Sequence, residues 1–227
     1  MGESNATSWE ETVLCWGKPK SNKITAQILR TYIQNFVQNK DSIADFIYWR
    51  LYERYIAPCQ KIRKLKSVNL GQHQDEELAK PTYNLRIGFS IMANMCLLIE
   101  ALQTFAENKK NSENNSQEFI EHFFHKYGEK NFGLKEEEVK QLLLKKDSHN
   151  FYENIRCGIL HQGETTGGWK IINGDKAIDV DKKLINAKRF LDTMDKVLKA
   201  YIGKLKSGEE SMGKCIKKLN ATIDNCK

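Results

Sequence analysis

The sequence predicts an all-α protein, an up-and-down helical bundle with one small β-hairpin near residues 169–180. Three observations carry this. Apolar residues recur at helical spacing through most of the 227 residues. No alternation of strand and helix patterns suggests a parallel sheet. Charged residues make up 29% of the chain and there are only three prolines, which suits helices joined by loops better than a β-sandwich or a disordered chain.

Residues 1–20 are polar around Trp9 and Trp16 and form an N-terminal arm. A single domain spans 21–206, and 207–227 is a basic tail. Within the domain, apolar positions 24, 28, 29, 32, 33, 36 and 37 trace one face of a helix. Asp41 or Ser42 can cap a second helix over 42–57, which Pro58 ends. Residues 61–66 are a basic patch and 67–84 a polar connection. The most apolar helix covers 85–107; its apolar residues lie on most sides, which places it at the bundle centre. Its apolar run of 13 residues, 87–99, is interrupted by Ser90 and Asn94 and is too short to span a membrane. An Asn-, Lys-, Ser- and Glu-rich loop at 108–117 is the segment best suited to disorder. Helices at 119–127 and 135–146 follow, separated by Gly128 and Gly133, then one at 148–162. Asn173-Gly174, between Trp169–Ile172 and Lys176–Val180, is a strong hairpin turn signal. An amphipathic helix at 183–205 completes the domain.

The formal net charge of +7 permits an acidic partner, with nucleic acid ahead of an anionic membrane. Six scattered cysteines without a CxxC pair point to free thiols in a reducing, cytoplasmic setting rather than to disulfides or zinc. His122 and His125 lack an acid or cysteine at ligand spacing and are expected on a solvated helix edge. No metal site or cofactor is expected.

The segment 150–164 carries the chemistry. It threads Arg156 and His161 through an apolar helix closed by glycines. RNA supplies its own nucleophile, the 2′-hydroxyl. A histidine can take its proton near neutral pH, and an arginine fork can hold the charge that develops on the phosphate. The spacing poses a difficulty, because five residues on an α-helix leave the two side chains about 140° apart at about 100° per residue. Either Gly158 and Gly163 loosen the helix, or a second chain supplies a facing pair. The competing structural reading pairs one of them with Glu153 or Glu164 and makes the other a helix cap. Glu100, a lone acid in the central helix, can orient either residue or form a plain ion pair. Arg50 and Arg54, interleaved with Trp49, Tyr52 and Tyr55, together with Lys61 and Arg63, form a candidate RNA-binding surface. The same pattern also fits a helix with aromatics inward and arginines outward.

Arg-x4-His on a late helix of an all-α chain resembles the HEPN superfamily, whose nuclease members carry Arg-x(4–6)-His. The run 151–165 is similar to the motif helix of small bacterial HEPN proteins. The runs 46–56, 96–100 and 168–171 with its hairpin are also similar, so the resemblance touches most of residues 40–205. Cys157 stands where the pattern often has Asn, and Gly163 where some toxin subgroups have Tyr. The resemblance implies a metal-independent endoribonuclease in which Arg156 and His161 take the motif positions. It also implies a homodimer with a composite active site, and a toxin or antiviral role with a possible antitoxin or defence-system partner. A non-catalytic RNA- or nucleotide-binding member of the same superfamily is the alternative.

Overall fold

The computed structural model describes residues 8–17, 23–64, 68–69, 82–83 and 87–227. They form a mostly helical protein built around one helix, α4 (Gly88–Ala106). Ile91, Met92, Met95, Cys96, Leu98, Ile99, Leu102 and Phe105 are all buried, on several sides of that helix. Continuous burial of this kind marks a core helix. α4 packs against α5 (Ser116–Phe132), α7 (Ala187–Ser207) and α8 (Ile216–Asp224), and α2 (Lys40–Leu51) lies along α7. α4 has the length and composition to cross a membrane, and is longer than its 13-residue apolar run, but 61% of its most apolar stretch is buried inside this protein.

Several sequence expectations need correction. The helix expected from residue 24 begins as a strand, β2 (Lys23–Thr25), antiparallel to β1 (Val13–Trp16). Helix α1 (Ala26–Gln34) starts only where Thr25 caps it, its hydroxyl accepting from the Ile28 N–H at 3.3 Å. The second helix does not stop at Pro58. After α2 the chain makes a π-helical turn over Tyr52–Ile56 and continues as α3 (Ala57–Ile62), with Pro58 in its first turn. Proline has no N–H to donate and its ring would meet the carbonyl four residues back; the wider π turn opens the ladder at that point, and the Ala57 N–H reaches the Tyr52 carbonyl instead.

Of the polar connection at 67–84, only β3 (Val68–Asn69) and β4 (Thr82–Tyr83), an antiparallel pair, are described; Lys66 and the rest of 70–84 lie outside the described residues. The 108–117 loop folds as hydrogen-bonded turns in which the Glu113 N–H donates to the Asn111 side chain and the Asn115 N–H to the Ser112 carbonyl. α5 runs straight through Gly128, where a Cβ would stand 2.8 Å from Val139 of α6 (Glu136–Leu143). Glycine there allows the two helices to approach.

The expected hairpin is absent. β5 (Lys170–Ile171) and β6 (Ile178–Asp179) do not pair with each other. Both pair with β7 (Leu184–Ile185), β5 in parallel and β6 antiparallel, giving the order β5-β7-β6. A type I′ turn needs positive φ at both central residues, and neither Asn173 nor Gly174 has it. The Gly174 carbonyl instead accepts from the Asn186 side chain at 2.7 Å and from Arg189 Nε at 2.9 Å, which ties this loop to the start of α7.

The described segments 8–17 and 212–224 both join the fold. Arg50 Nη1 donates to the Leu14 carbonyl at 3.0 Å, fixing β1 to α2. The stretch expected as a basic tail contains α8, which packs on α1 and α4 and buries Leu219 and Ile223.

Candidate functional site

The segment 150–167 is positioned from both sides. Phe151 is fully buried, 4.8 Å from the Phe124 ring of α5 and 6.0 Å from the Phe190 ring of α7 (ring centroids). Asn150 acts as the helix cap, its side-chain oxygen accepting from the Glu153 N–H at 2.8 Å. Asn154 is buried and fully used. Its amide donates to the Asp147 and Asn150 carbonyls, both at 3.0 Å, and its oxygen accepts from the Thr166 hydroxyl at 2.9 Å. Behind it, buried Trp169 donates from Nε1 to the Ser148 carbonyl at 3.1 Å.

The helix itself is not α. Tyr152–Gln162 is an eleven-residue π-helix, ended by Gly163 at φ +76°, a left-handed conformation that glycine takes without strain. π-helices bond i to i+5, so residues five apart stand nearly above one another. The Arg-x4-His spacing therefore brings the two side chains together within one chain, with Arg156 Nη1 lying 3.1 Å from His161 Nε2. The angular separation expected for an α-helix does not apply. Gly158 makes the ending possible. A Cβ there would stand 2.6 Å from the Glu164 carbonyl oxygen, which folds back over the helix.

Arg156 is held from behind. Its Nε donates to Glu100 Oε1 at 2.8 Å, and Glu100 Oε2 accepts from the Ser116 hydroxyl at 2.9 Å. Arg156 Nη2 lies 3.4 Å from the same hydroxyl. The Glu100 side chain is 5% exposed and that of Arg156 15%, whereas His161 is exposed. Burial opposes the charge on Arg156, but the hydrogen bond and charge of Glu100 outweigh it and raise its pKa above the usual arginine value. The Arg156 guanidinium also stands 5.6 Å from the centroid of the Tyr152 ring. Arginine can only donate, so in this geometry His161 Nε2 accepts and the ring proton sits on Nδ1. Neither Glu153 nor Glu164 pairs with Arg156: Glu153 accepts from the Lys146 N–H, and the carboxylate partner of Arg156 is Glu100.

The result is a fixed cation beside an exposed imidazole. Such an arrangement can bind a phosphate oxygen at Nη1 and move a proton at Nε2. Sequence reasoning named Arg156, His161 and Glu100 and missed Ser116. Nothing in a lone serine after an Asn-rich loop signals that it will meet an acid sixteen residues earlier.

The expected RNA-binding set is not held as one surface. Arg50 is engaged with Leu14, and burial, followed by the charge of Arg54, pulls its pKa down to about 10. Arg63 pairs with Asp192 of α7. Arg54 and Lys61 are exposed. Lys61 lines an open cleft of about 720 Å³ with Trp16, Trp49, Tyr52 and Pro58, so the aromatics expected to point inward partly face solvent there. His122 lies on an exposed helix edge, as expected, but acids meet it there. Its Nδ1 lies 2.8 Å from Glu107, and Glu118 closes on the same point, while His125 is exposed. Spacing could not find Glu107, which sits at the end of the neighbouring helix, whereas Glu118, four residues before His122, was readable and was overlooked.

No known family model, no curated protein and no solved structure matches this chain.

Proposed function

We propose that this protein is a HEPN-like, metal-independent endoribonuclease in which Arg156 and His161 carry the chemistry and Glu100 positions Arg156. The observation that carries the reading is the 3.1 Å approach of Arg156 Nη1 to His161 Nε2, with the arginine anchored on a buried acid and the histidine open to solvent. In the reaction, a phosphate oxygen of RNA takes the place of the imidazole at Arg156, which frees Nε2. His161 then accepts the 2′-hydroxyl proton. The 2′-oxygen attacks phosphorus and the bond to the 5′-oxygen breaks. The products are a 2′,3′-cyclic phosphate and a 5′-hydroxyl that takes up a proton. The Arg156 charge opposes the negative charge that builds on the phosphate. A homodimer and a toxin or antiviral role with its partner follow from the HEPN resemblance, and a cytoplasmic location from the cysteines. Six free cysteines, four of them buried, support the reducing location.

Incubating purified protein with RNA in EDTA tests this. Wild type should cleave, and His161→Ala should be slower by about 10²–10⁴-fold, the usual contribution of a positioned acid or base. Arg156→Ala should lose at least about 10²-fold. A mixture of the two variants should regain nothing if each chain uses its own pair; recovery would assign the pair to two protomers. Cleavage that persists in both variants sinks the proposal. RNA binding without cleavage favours the second reading, a non-catalytic binding module, which has the Glu100–Arg156 ion pair in its favour because that pair alone would explain a half-buried arginine.

A further inference from the structure

We infer that Glu107, Glu118 and His122 form a binding site for one divalent transition-metal ion, of the zinc, cobalt or nickel class, which ties the end of α4 to the first turns of α5. The site lies outside the proposed nuclease machinery. Glu118 and His122 are four residues apart on α5 and share a face, and Glu107 is the residue that ends α4. One ligand atom from each lies within 4.8 Å of the other two. The pair His122 Nδ1 and Glu107 Oε1 is already at 2.8 Å. Metal–ligand bonds of about 2.0–2.2 Å place neighbouring donors about 3.4 Å apart in a tetrahedron. The three groups reach that geometry once His122 and Glu107 part by about 0.6 Å and the exposed Glu118 side chain, already within 4.8 Å of both, closes the rest. One imidazole nitrogen and two carboxylates leave a fourth position for water, the pattern of an open zinc-type centre. An imidazole favours zinc, cobalt and nickel over magnesium and calcium, which prefer oxygen alone.

The placement gives the ion a structural consequence. Contacts between α4 and α5 advance together along both helices: Glu100 meets Ser116, Gln103 meets the Phe119 carbonyl, and Glu107 meets His122. Seven residues of helix separate Glu107 from Glu100, about 10 Å at about 1.5 Å per residue. A metal at the far end of this seam clamps the two helices whose near end holds Arg156. It stabilises the fold without taking part in cleavage.

Zinc chloride titrated calorimetrically into the reduced, chelator-free protein tests this, alongside His122→Ala, Glu118→Gln and a His125→Ala control. Wild type and His125→Ala should bind one equivalent, and His122→Ala and Glu118→Gln should each weaken binding at least tenfold. At zinc about 100-fold above the dissociation constant, the wild-type melting temperature should rise by roughly 5–10 °C. Cobalt(II) absorption separates this site from the cysteines, since an oxygen- and nitrogen-ligated ion lacks the intense thiolate charge-transfer band. His122 and Glu118 are exposed, so both variants should fold, with unchanged circular dichroism and with RNA cleavage in EDTA equal to wild type whatever that level is. Unaltered zinc affinity in both variants, a thiolate band on cobalt, or no binding by wild type at millimolar zinc would each overturn the site, and none of these bears on the Arg156–His161 reading.

Discussion

Glu100 is the residue on which the geometry of the candidate site turns. A carboxylate buried to this degree is costly unless its charge is matched and its lone pairs are used. Here one oxygen takes Arg156 Nε and the other takes the Ser116 hydroxyl. That arrangement orients the guanidinium so that Nη1, and not Nε, faces His161. Glu100→Gln keeps the shape but removes the charge and turns an acceptor into a donor that faces a donor. Arg156 should then lose its fixed orientation. The expected result is a loss in kcat on the order of 10²-fold, the effect of about 1 Å of misplacement, with KM nearly unchanged. Equal kcat in Glu100→Gln and wild type would make the acid a plain ion-pair partner. Sequence alone identified Glu100 as a buried acid seeking a cation, because nothing else in the central helix is charged between Arg86 and Glu107. It could not choose between Arg156 and His161, since that choice depends on how the later helix is wound.

At the scale of the element, the winding decides the site. Helical periodicity marked 148–162 as helix, which holds from Phe151 on, but apolar spacing does not separate α from π over a single motif. An α-helix closes a turn in 3.6 residues; only the i+5 bonding of the π form puts a five-residue spacing on one side. The glycines were the readable clue. Gly163 ends the helix in the left-handed conformation, and Gly158 accepts the returning chain against its α-carbon. Gly158→Ala should therefore disturb both the fold and the pair. Its Cβ would stand 2.6 Å from the Glu164 carbonyl oxygen and 3.4 Å from the Thr166 nitrogen, and both are backbone atoms that cannot swing away. Overpacking of this sort costs roughly 1–3 kcal/mol. At roughly 2–4 °C per kcal/mol for a chain of this size, the melting temperature should fall by about 2–12 °C. Gly174→Ala is the control: no atom lies within 4 Å of its Cβ position and its φ is ordinary, so its melting temperature should match wild type. A Gly158→Ala protein as stable as wild type would mean that the return of residues 164–166 over the helix is not as described.

For the whole molecule, the part of the fold legible in sequence was the part set by local periodicity: a central apolar helix, amphipathic helices around it and short polar joints. What stayed illegible depends on contacts between distant segments. The hairpin signal at Asn173-Gly174 was strong locally, yet β7 inserts between the two candidate strands and takes both pairings. Residues 207–227 looked like a basic tail because their four lysines outnumber their three acids and their apolar residues are sparse. Their large apolar residues fall at 212, 216, 219 and 223, helical spacing that the structure realises as a turn at 212–215 followed by α8, and α1 with α4 provides a surface for the apolar face. Leu219 is fully buried in the common core. If residues 212–224 belong to the fold, Leu219→Ala opens a cavity there and costs about 2–5 kcal/mol, as buried leucine truncations do. If they were a dispensable tail, the same change would cost nothing. Leu144, which is 58% exposed, provides the comparison, and Leu144→Ala should melt with wild type. Thermal or urea unfolding of the three proteins separates the outcomes. Because the core is continuous from α8 through α4 to α5, the Leu219→Ala transition should remain a single cooperative step at lower temperature, whereas an early, separate loss of helix signal would show α8 to be an independent appendage.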